Sequence, residues 1–392
     1  MLQHEEKLDR GKIKLISFIS FLVGFSQAII IYIMSSYFKL ISGTENVGLF
    51  YLISYSVVLL ILINLHKAVL FLGKSRVFCF AILASIISVF LLARFTPSPV
   101  CIIFAALYLI SSSIEWVALD VILESYSTDK MSGRIRGFHL MIFNLGFLFG
   151  PLLSVKILEK FNFYGIFLAL FFINTIILII SLTGLSHVNH RFKQELSAWG
   201  VIKKMVQRTE IARIYYISFV LELFYALMII YVPIYLLDLK LSWNDIGWIF
   251  TVMLLPFVLL QYPAGFLADK KWGEKKFIIF SLIIMLFSTL AVFFATSKNV
   301  AIWAAILFAT RIGAALIEVL RDSYFYKEID ARDVDLIHFF RTAMPMGYIV
   351  ATALSSIVLF FLPTKYSFII IAVIVLSALY PAFRLKDIKL KD

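Results

Sequence analysis

The sequence predicts an all-α membrane protein of about twelve transmembrane helices, arranged as two six-helix bundles. Three observations predict it: an apolar excess that no water-soluble core needs, a one-sided distribution of basic residues, and local patterns that recur about half a chain apart. Of 392 residues, 62% are hydrophobic and 15% charged. Soluble domains are nearer half apolar and a quarter charged. The surplus is expected where helices face lipid, and the 39 Phe suit such a surface.

A span needs about 20 apolar residues. Such runs lie at 15–38, 47–65, 77–95, 100–123, 138–159, 164–186, 214–238, 246–267, 277–296, 299–322, 338–361 and 366–383. The longest polar stretch, 187–213, holds Arg191, Lys193, Lys203, Lys204 and Arg208. It is read as a cytoplasmic linker between an N-terminal bundle, 1–186, and a C-terminal bundle, 214–392. The polar segment 1–14 is not a cleavable signal peptide, because no small-residue cleavage site follows the first apolar run.

Charge placement tests the count. With the N-terminus in the cytoplasm and sides alternating, the inward segments hold 28 of the 36 Lys and Arg. The outward segments hold seven: Lys39, Arg94, Lys156, Lys160, Lys240, Lys298 and Lys365. Arg311 is left inside a span. Loss of one span would exchange the sides of every later loop and destroy this positive-inside bias. A multi-pass protein of the cell membrane with both termini cytoplasmic is therefore expected. The net charge of +12 belongs to this topology, so no nucleic-acid partner is expected. Cys79 and Cys101 lie in apolar runs and show neither metal-site spacing nor a disulfide framework. No metal and no cofactor are expected.

The halves repeat each other. Asn46-Val47-Gly48 opens span two and Asp245-Ile246-Gly247 opens span eight. Gly73-Lys74-Ser75-Arg76 follows span two, and Gly273-Glu274-Lys275-Lys276 follows span eight. Asp120, Glu124, Ser125 and Tyr126 end span four, and Glu318, Asp322, Ser323 and Tyr324 end span ten. Parallel repeats of this kind mark transporters whose halves rock about a central cavity.

Gly265-Phe266-Leu267-Ala268-Asp269-Lys270-Lys271-Trp272-Gly273-Glu274-Lys275-Lys276 resembles the signature loop of the major facilitator superfamily. That pattern is Gly, three residues, Asp, a basic residue, then Gly and further basic residues. In the first half Gly73, Lys74 and Arg76 remain, but Leu65 and Val69 stand where Gly and Asp would be. Gly137, Gly146, Gly150 and Pro151 in span five have the spacing of the superfamily's antiporter motif, with Ser154 and Val155 in place of its last two glycines. The alternative for these four is a kinked, tightly packed helix, since small residues allow close approach and Pro removes a backbone donor. The resemblance implies the superfamily fold, alternating access and a central cavity for a small-molecule substrate.

Charges inside spans cost about 2.5–3.5 kcal/mol each on insertion scales and need a partner or water. Glu115 in span four, Glu222 in span seven and Arg311 in span ten are such charges. Two readings stand: they line the cavity as a substrate and ion pathway, or they form a structural ion pair, such as Glu222 with Arg311. Arg cannot lose its proton, so a carboxylate must carry any proton, and Glu222 is the preferred one. Asp120 and Glu124, like Glu318 and Asp322, are four apart and share a helix face. With Gly265, Asp269, Lys270, Gly273, Lys275 and Lys276 they are read as a cytoplasmic salt-bridge gate; the alternative is a solvated border. Arg134, Arg136 and Arg341 are further basic partners in reach by sequence. Gln27, Tyr32, Tyr55, Asn144, Tyr225, Tyr231, Gln261 and Tyr348 are candidate cavity residues, and His139 an interfacial histidine.

The function expected is secondary active transport of a small solute by alternating access, coupled to protons and carried out by a monomer in the bilayer. It is not expected to be an enzyme, and no phosphate-binding loop of an ATPase is present. Two alternatives remain: a non-transporting sensor or assembly protein on the same fold, favoured by the degraded first loop, and a membrane-embedded lipid-modifying enzyme. The enzyme needs a clustered nucleophile and base, against which stand six scattered His.

Overall fold

The computed structural model describes residues 10–44, 46–124, 132–185, 198–268, 273–329, 336 and 339–387. The described residues form helices α1 (Arg10–Ile30), α2 (Met34–Ser42), α3 (Gly48–Leu72), α4 (Lys74–Arg94), α5 (Cys101–Glu124) and α6 (Ser132–Gly184). After these come α7 (Ala198–Gln207), α8 (Thr209–Asp238), α9 (Trp243–Leu267), α10 (Glu274–Phe294) and α11 (Val300–Glu328). Helices α12 (Ala343–Phe361) and α13 (Ser367–Phe383) complete the order.

Eleven of the described helices are long and apolar enough to cross a membrane. One of them, His139–Gly184, has 46 residues, twice what a crossing needs. Asn162 breaks it with φ 53° and ψ −162°, so α6 supplies spans five and six and the total is twelve. Span one is also divided. A turn at residues 31–33 separates α1 from α2, where Ile33 is bonded to the Ile30 carbonyl at 3.0 Å. Irregular backbone at membrane depth is tolerated where it lines a cavity, and Ile31 and Tyr32 do line one. Helices α3 and α11 run about two turns past the ends expected for spans two and ten. The polar 187–213 stretch contains α7, and α8 already begins within it.

Lys12 donates to the Gly184 carbonyl at 2.6 Å, and Arg213 to the Arg384 carbonyl at 2.6 Å. The start of α1, the end of α6, the start of α8 and the end of α13 therefore share one side, the termini face. The opposite side is the far face. Phe90, Phe172, Phe287 and Phe360 stand exposed on the outer surface, as lipid-facing rings should.

The duplication extends to packing and backbone. In the first bundle α4 packs on α5 and α6, and α3 on α5; in the second α10 packs on α11 and α13, and α9 on α11. Gly73 joins α3 to α4 with φ 88° and ψ 154°; Gly273 precedes α10 with φ 71° and ψ 157°. A side chain at either position would be strained, which is why the loop repeats its glycine.

The buried apolar residues fall into two clusters. One unites the far-face half of the first bundle, including Ile29, Phe38, Tyr51 and Phe167, with the second bundle. The other, including Ile19, Phe78, Leu119 and Ile177, belongs to the termini-face half of the first bundle. The bundles thus share an apolar core toward the far face, whereas toward the termini face their apolar cores are separate.

Candidate functional site

Between the parted halves lies a cavity of about 270 Å³. It reaches from Ile31, Tyr32 and Arg311 at mid-membrane to Asp120, Asp322, Tyr326 and Arg341 near the termini face. Its far end is sealed by contacts that each join the two bundles. The Tyr32 ring lies 4.8 Å from Phe250, and Tyr55 stacks on Tyr348 at 4.0 Å. Beyond them Asn46 donates to the Ser356 carbonyl at 3.1 Å, and Lys39 lies 3.7 Å from Asp238. The repeated glycines at the starts of spans two and eight serve this seal. A Cβ on Gly48 would lie 2.6 Å from the Tyr231 hydroxyl, and one on Gly247 would lie 3.0 Å from Val155.

The charged lining is acidic at Asp120, Glu222, Glu318 and Asp322 and basic at Arg311, Arg321 and Arg341. Glu222 on α8 accepts from Arg321 on α11 at 2.8 Å, and Arg321 also donates to the Ser218 hydroxyl at 2.7 Å. Asp322 lies 3.6 Å from the same guanidinium. Asp120 on α5 and Arg341, just ahead of α12, meet at 3.0 Å and bridge the bundles near the termini face. Glu318 accepts from Gln261 at 2.8 Å, and Gln261 accepts from Asn144 of the first bundle at 3.2 Å. Arg311 is 2% exposed, and its guanidinium carbon lies 5.3 Å from the Phe224 ring and 5.6 Å from that of Tyr225.

The residues singled out in the sequence separate into groups. Glu222, Arg311, Asp120, Glu318 and Asp322 come together on the cavity wall. Glu115 does not. It is buried between α4 and α5, where Ser85 donates to it, and Ser85 and Ser111 are 2.8 Å apart. The pairing of Glu222 with Arg311 is not formed, because Arg321 occupies the carboxylate. Lys275 lies 3.9 Å from Asp387 within its own bundle, and Lys276 is exposed. Gly265 sits in the last turn of α9, where a Cβ would meet only Val319 at 3.9 Å. Asp269 and Lys270, and the side chains of Glu124, Arg134 and Arg136, lie outside the described residues, as does Gly137 apart from its helical backbone. Gly146 and Gly150 hold α6 against α1: a Cβ would fall 2.4 Å from the Phe21 carbonyl oxygen and 2.2 Å from Ala28 Cβ, respectively. Pro151 follows within the helix. His139 is buried on the cavity wall, 2.9 Å from the Ser20 hydroxyl.

Arg321 is the site residue that sequence reasoning missed. It falls at the expected end of span ten, where a basic residue reads as a border charge. The signal that could have found it is its spacing: it follows Glu318 by three and precedes Asp322, on the stripe that also carries Arg311. Helical Cα–Cβ bonds tilt toward the helix N-terminus, which for α11 points into the membrane, so the long side chain reaches Glu222.

Residues 16–246 and 214–390 match the family model described as Major Facilitator Superfamily. The chain belongs to the major facilitator superfamily. It is accordingly a membrane transporter and not an enzyme, which removes the lipid-modifying alternative. The crystal structure of a mutant of the nucleoside transporter NupG superposes with a TM-score of 0.71 at 12% identity, covering 95% of this chain and 99% of that one. At that identity the likeness shows the superfamily fold alone. No curated protein matches the sequence. Among the described residues no group of three or more His, Cys, Asp or Glu is placed to hold a metal ion.

Proposed function

We propose that this superfamily member is a secondary active transporter that carries a small solute by alternating access, with the termini face in the cytoplasm and a proton as coupling ion. The supporting observation is the division of the core: continuous between bundles at the far face, parted by the cavity at the termini face. A solute in the cavity therefore communicates with one side, and exchange to the other requires the far seal to open and the termini face to close. Asp120 and Arg341 already span the gap on the closing side and serve as its gate.

Coupling falls to Glu318 rather than Glu222. Glu222 is held by Arg321, whereas Glu318 has no ion-pair partner within 4 Å among the described residues. Gln261 links it to Asn144 in the other bundle. A proton on Glu318 weakens its hold on Gln261, so its charge state bears on whether the bundles stay joined. Spin-label pairs test the reading directly: Phe71 with Leu267 at the termini-face ends of α3 and α9, and Leu40 with Lys298 at the far face. The two distances should change in opposite senses as pH is varied, and Glu318→Gln should leave them insensitive to pH. One fixed set of distances under all conditions would end the alternating-access reading; an unchanged pH response in Glu318→Gln would end the coupling role.

A further inference from the structure

Arg311 is the cavity charge that the protein leaves unanswered. Its Nε and Nη1 are buried without a hydrogen-bond partner, and no carboxylate among the described residues lies within ion-pair distance. The other two cations of the wall each meet a carboxylate, Arg321 those of Glu222 and Asp322 and Arg341 that of Asp120, so what sets Arg311 apart is the missing ion pair; Arg321 Nε is also buried without a hydrogen-bond partner. Glu318, the remaining carboxylate, stands seven residues along α11, about 10 Å away by helical rise. Around the guanidinium are the ring faces of Phe224 and Tyr225 and the Tyr32 side chain, which shares one hydrogen bond with it and leaves Nε and Nη1 unfilled. Aromatic faces attract a cation but satisfy none of its N–H donors. A fixed, desolvated fork of donors is a site built for an acceptor that arrives from outside.

We propose that the substrate is an organic monoanion whose carboxylate docks on Arg311 and whose apolar body lies among the cavity aromatics, Tyr32, Tyr225 and Phe257. The assignment rests on the transport reading and adds the class of solute. One uncommitted cation argues for one negative charge: a second would enter a wall that already carries more carboxylates than guanidiniums. A cationic solute would meet Arg311 directly. An α-amino acid holds its ammonium group one carbon from its carboxylate, close to Arg311 and short of Glu318, which stands about 10 Å along α11. The volume of about 270 Å³ suits a single ring or a short branched chain.

The test is equilibrium binding to the purified full-length protein of matched solutes: 3-phenylpropionate, its amide, phenylalanine and phenylsuccinate, and the acid–amide pair of a branched aliphatic acid. Removing a charge-assisted hydrogen bond from a buried site weakens binding by roughly ten- to a hundredfold. The monocarboxylates should therefore bind at least tenfold more tightly than their amides, the amino acid and the dianion. Arg311→Gln should erase the acid-over-amide preference, and Arg311→Lys should keep part of it. A second measurement needs no ligand. Because the guanidinium is buried without a carboxylate, Arg311→Gln should melt no lower than the wild-type protein. A lower melting temperature would make Arg311 a packing element and overturn the assignment. So would equal binding of acid and amide, a preference for phenylalanine or the dianion, or no binding by either acid. None of these results alters the spin-label distances, so failure of the substrate class and failure of alternating access are read separately.

Discussion

The pair formed by Glu222 and Arg321 offers a quantitative test of the cavity wall. The side chains are 12% and 11% exposed and meet at 2.8 Å, and the guanidinium also holds the Ser218 hydroxyl. Removing one partner of a buried pair costs about 3–5 kcal/mol, because the other charge is left in a poorly solvated place. The cavity supplies some water, so the lower end, about 3 kcal/mol, is expected for Arg321→Gln. That change leaves Glu222 without its cation and takes the Arg321 guanidinium away from Asp322. Glu222→Gln should cost less, since Arg321 keeps Asp322 at 3.6 Å. The double substitution removes both charges and should recover much of the loss, with a coupling energy of roughly 1.5–3 kcal/mol. The assay is a double-mutant cycle on reversible unfolding in mixed micelles, with Arg311→Gln combined with Glu222→Gln as the control cycle. Coupling below about 0.5 kcal/mol for the Glu222 and Arg321 pair, within the additivity of independent sites, would refute the reasoning. Equal coupling of Glu222 to Arg311 would do the same.

Three other outcomes follow from the same contacts. Gly48→Leu should wedge the far seal, since even a Cβ would fall 2.6 Å from the Tyr231 hydroxyl; a longer distance between labels at Leu40 and Lys298 would register it, and an unchanged distance would count against the seal. Asp120→Asn should weaken the closed termini face by about 1–2 kcal/mol, or roughly five- to thirtyfold in population, read from labels at Phe71 and Leu267; no shift toward the longer distance would remove the gate role. Glu115→Gln should leave solute binding unchanged, because the side chain is buried between α4 and α5 and off the cavity wall; a tenfold change in affinity would show that it acts on the site.

The sequence by itself determined the membrane class, the number of spans and the duplication, because these depend on composition and on local order along the chain. A run of apolar residues is long enough to cross or it is not, and a glycine at positive φ is marked by its place in a repeat. The same local logic found the stripe of Arg311, Glu318 and Asp322 on one helix face. Which charge meets which was decided by the tertiary structure. Counting residues from a border puts Glu222 level with Arg311, but a side chain reaches several ångströms from its Cα, and Arg321 leans inward from the border to take Glu222 first. Glu115 and Glu222 look alike in sequence, each an acid well inside an apolar span. Only the packing of α4 against α5 turns the first toward Ser85, while α8 turns the second toward the cavity. The antiporter-like glycines needed the fold as well, for their near contact with α1 is a property of two helices and not of one.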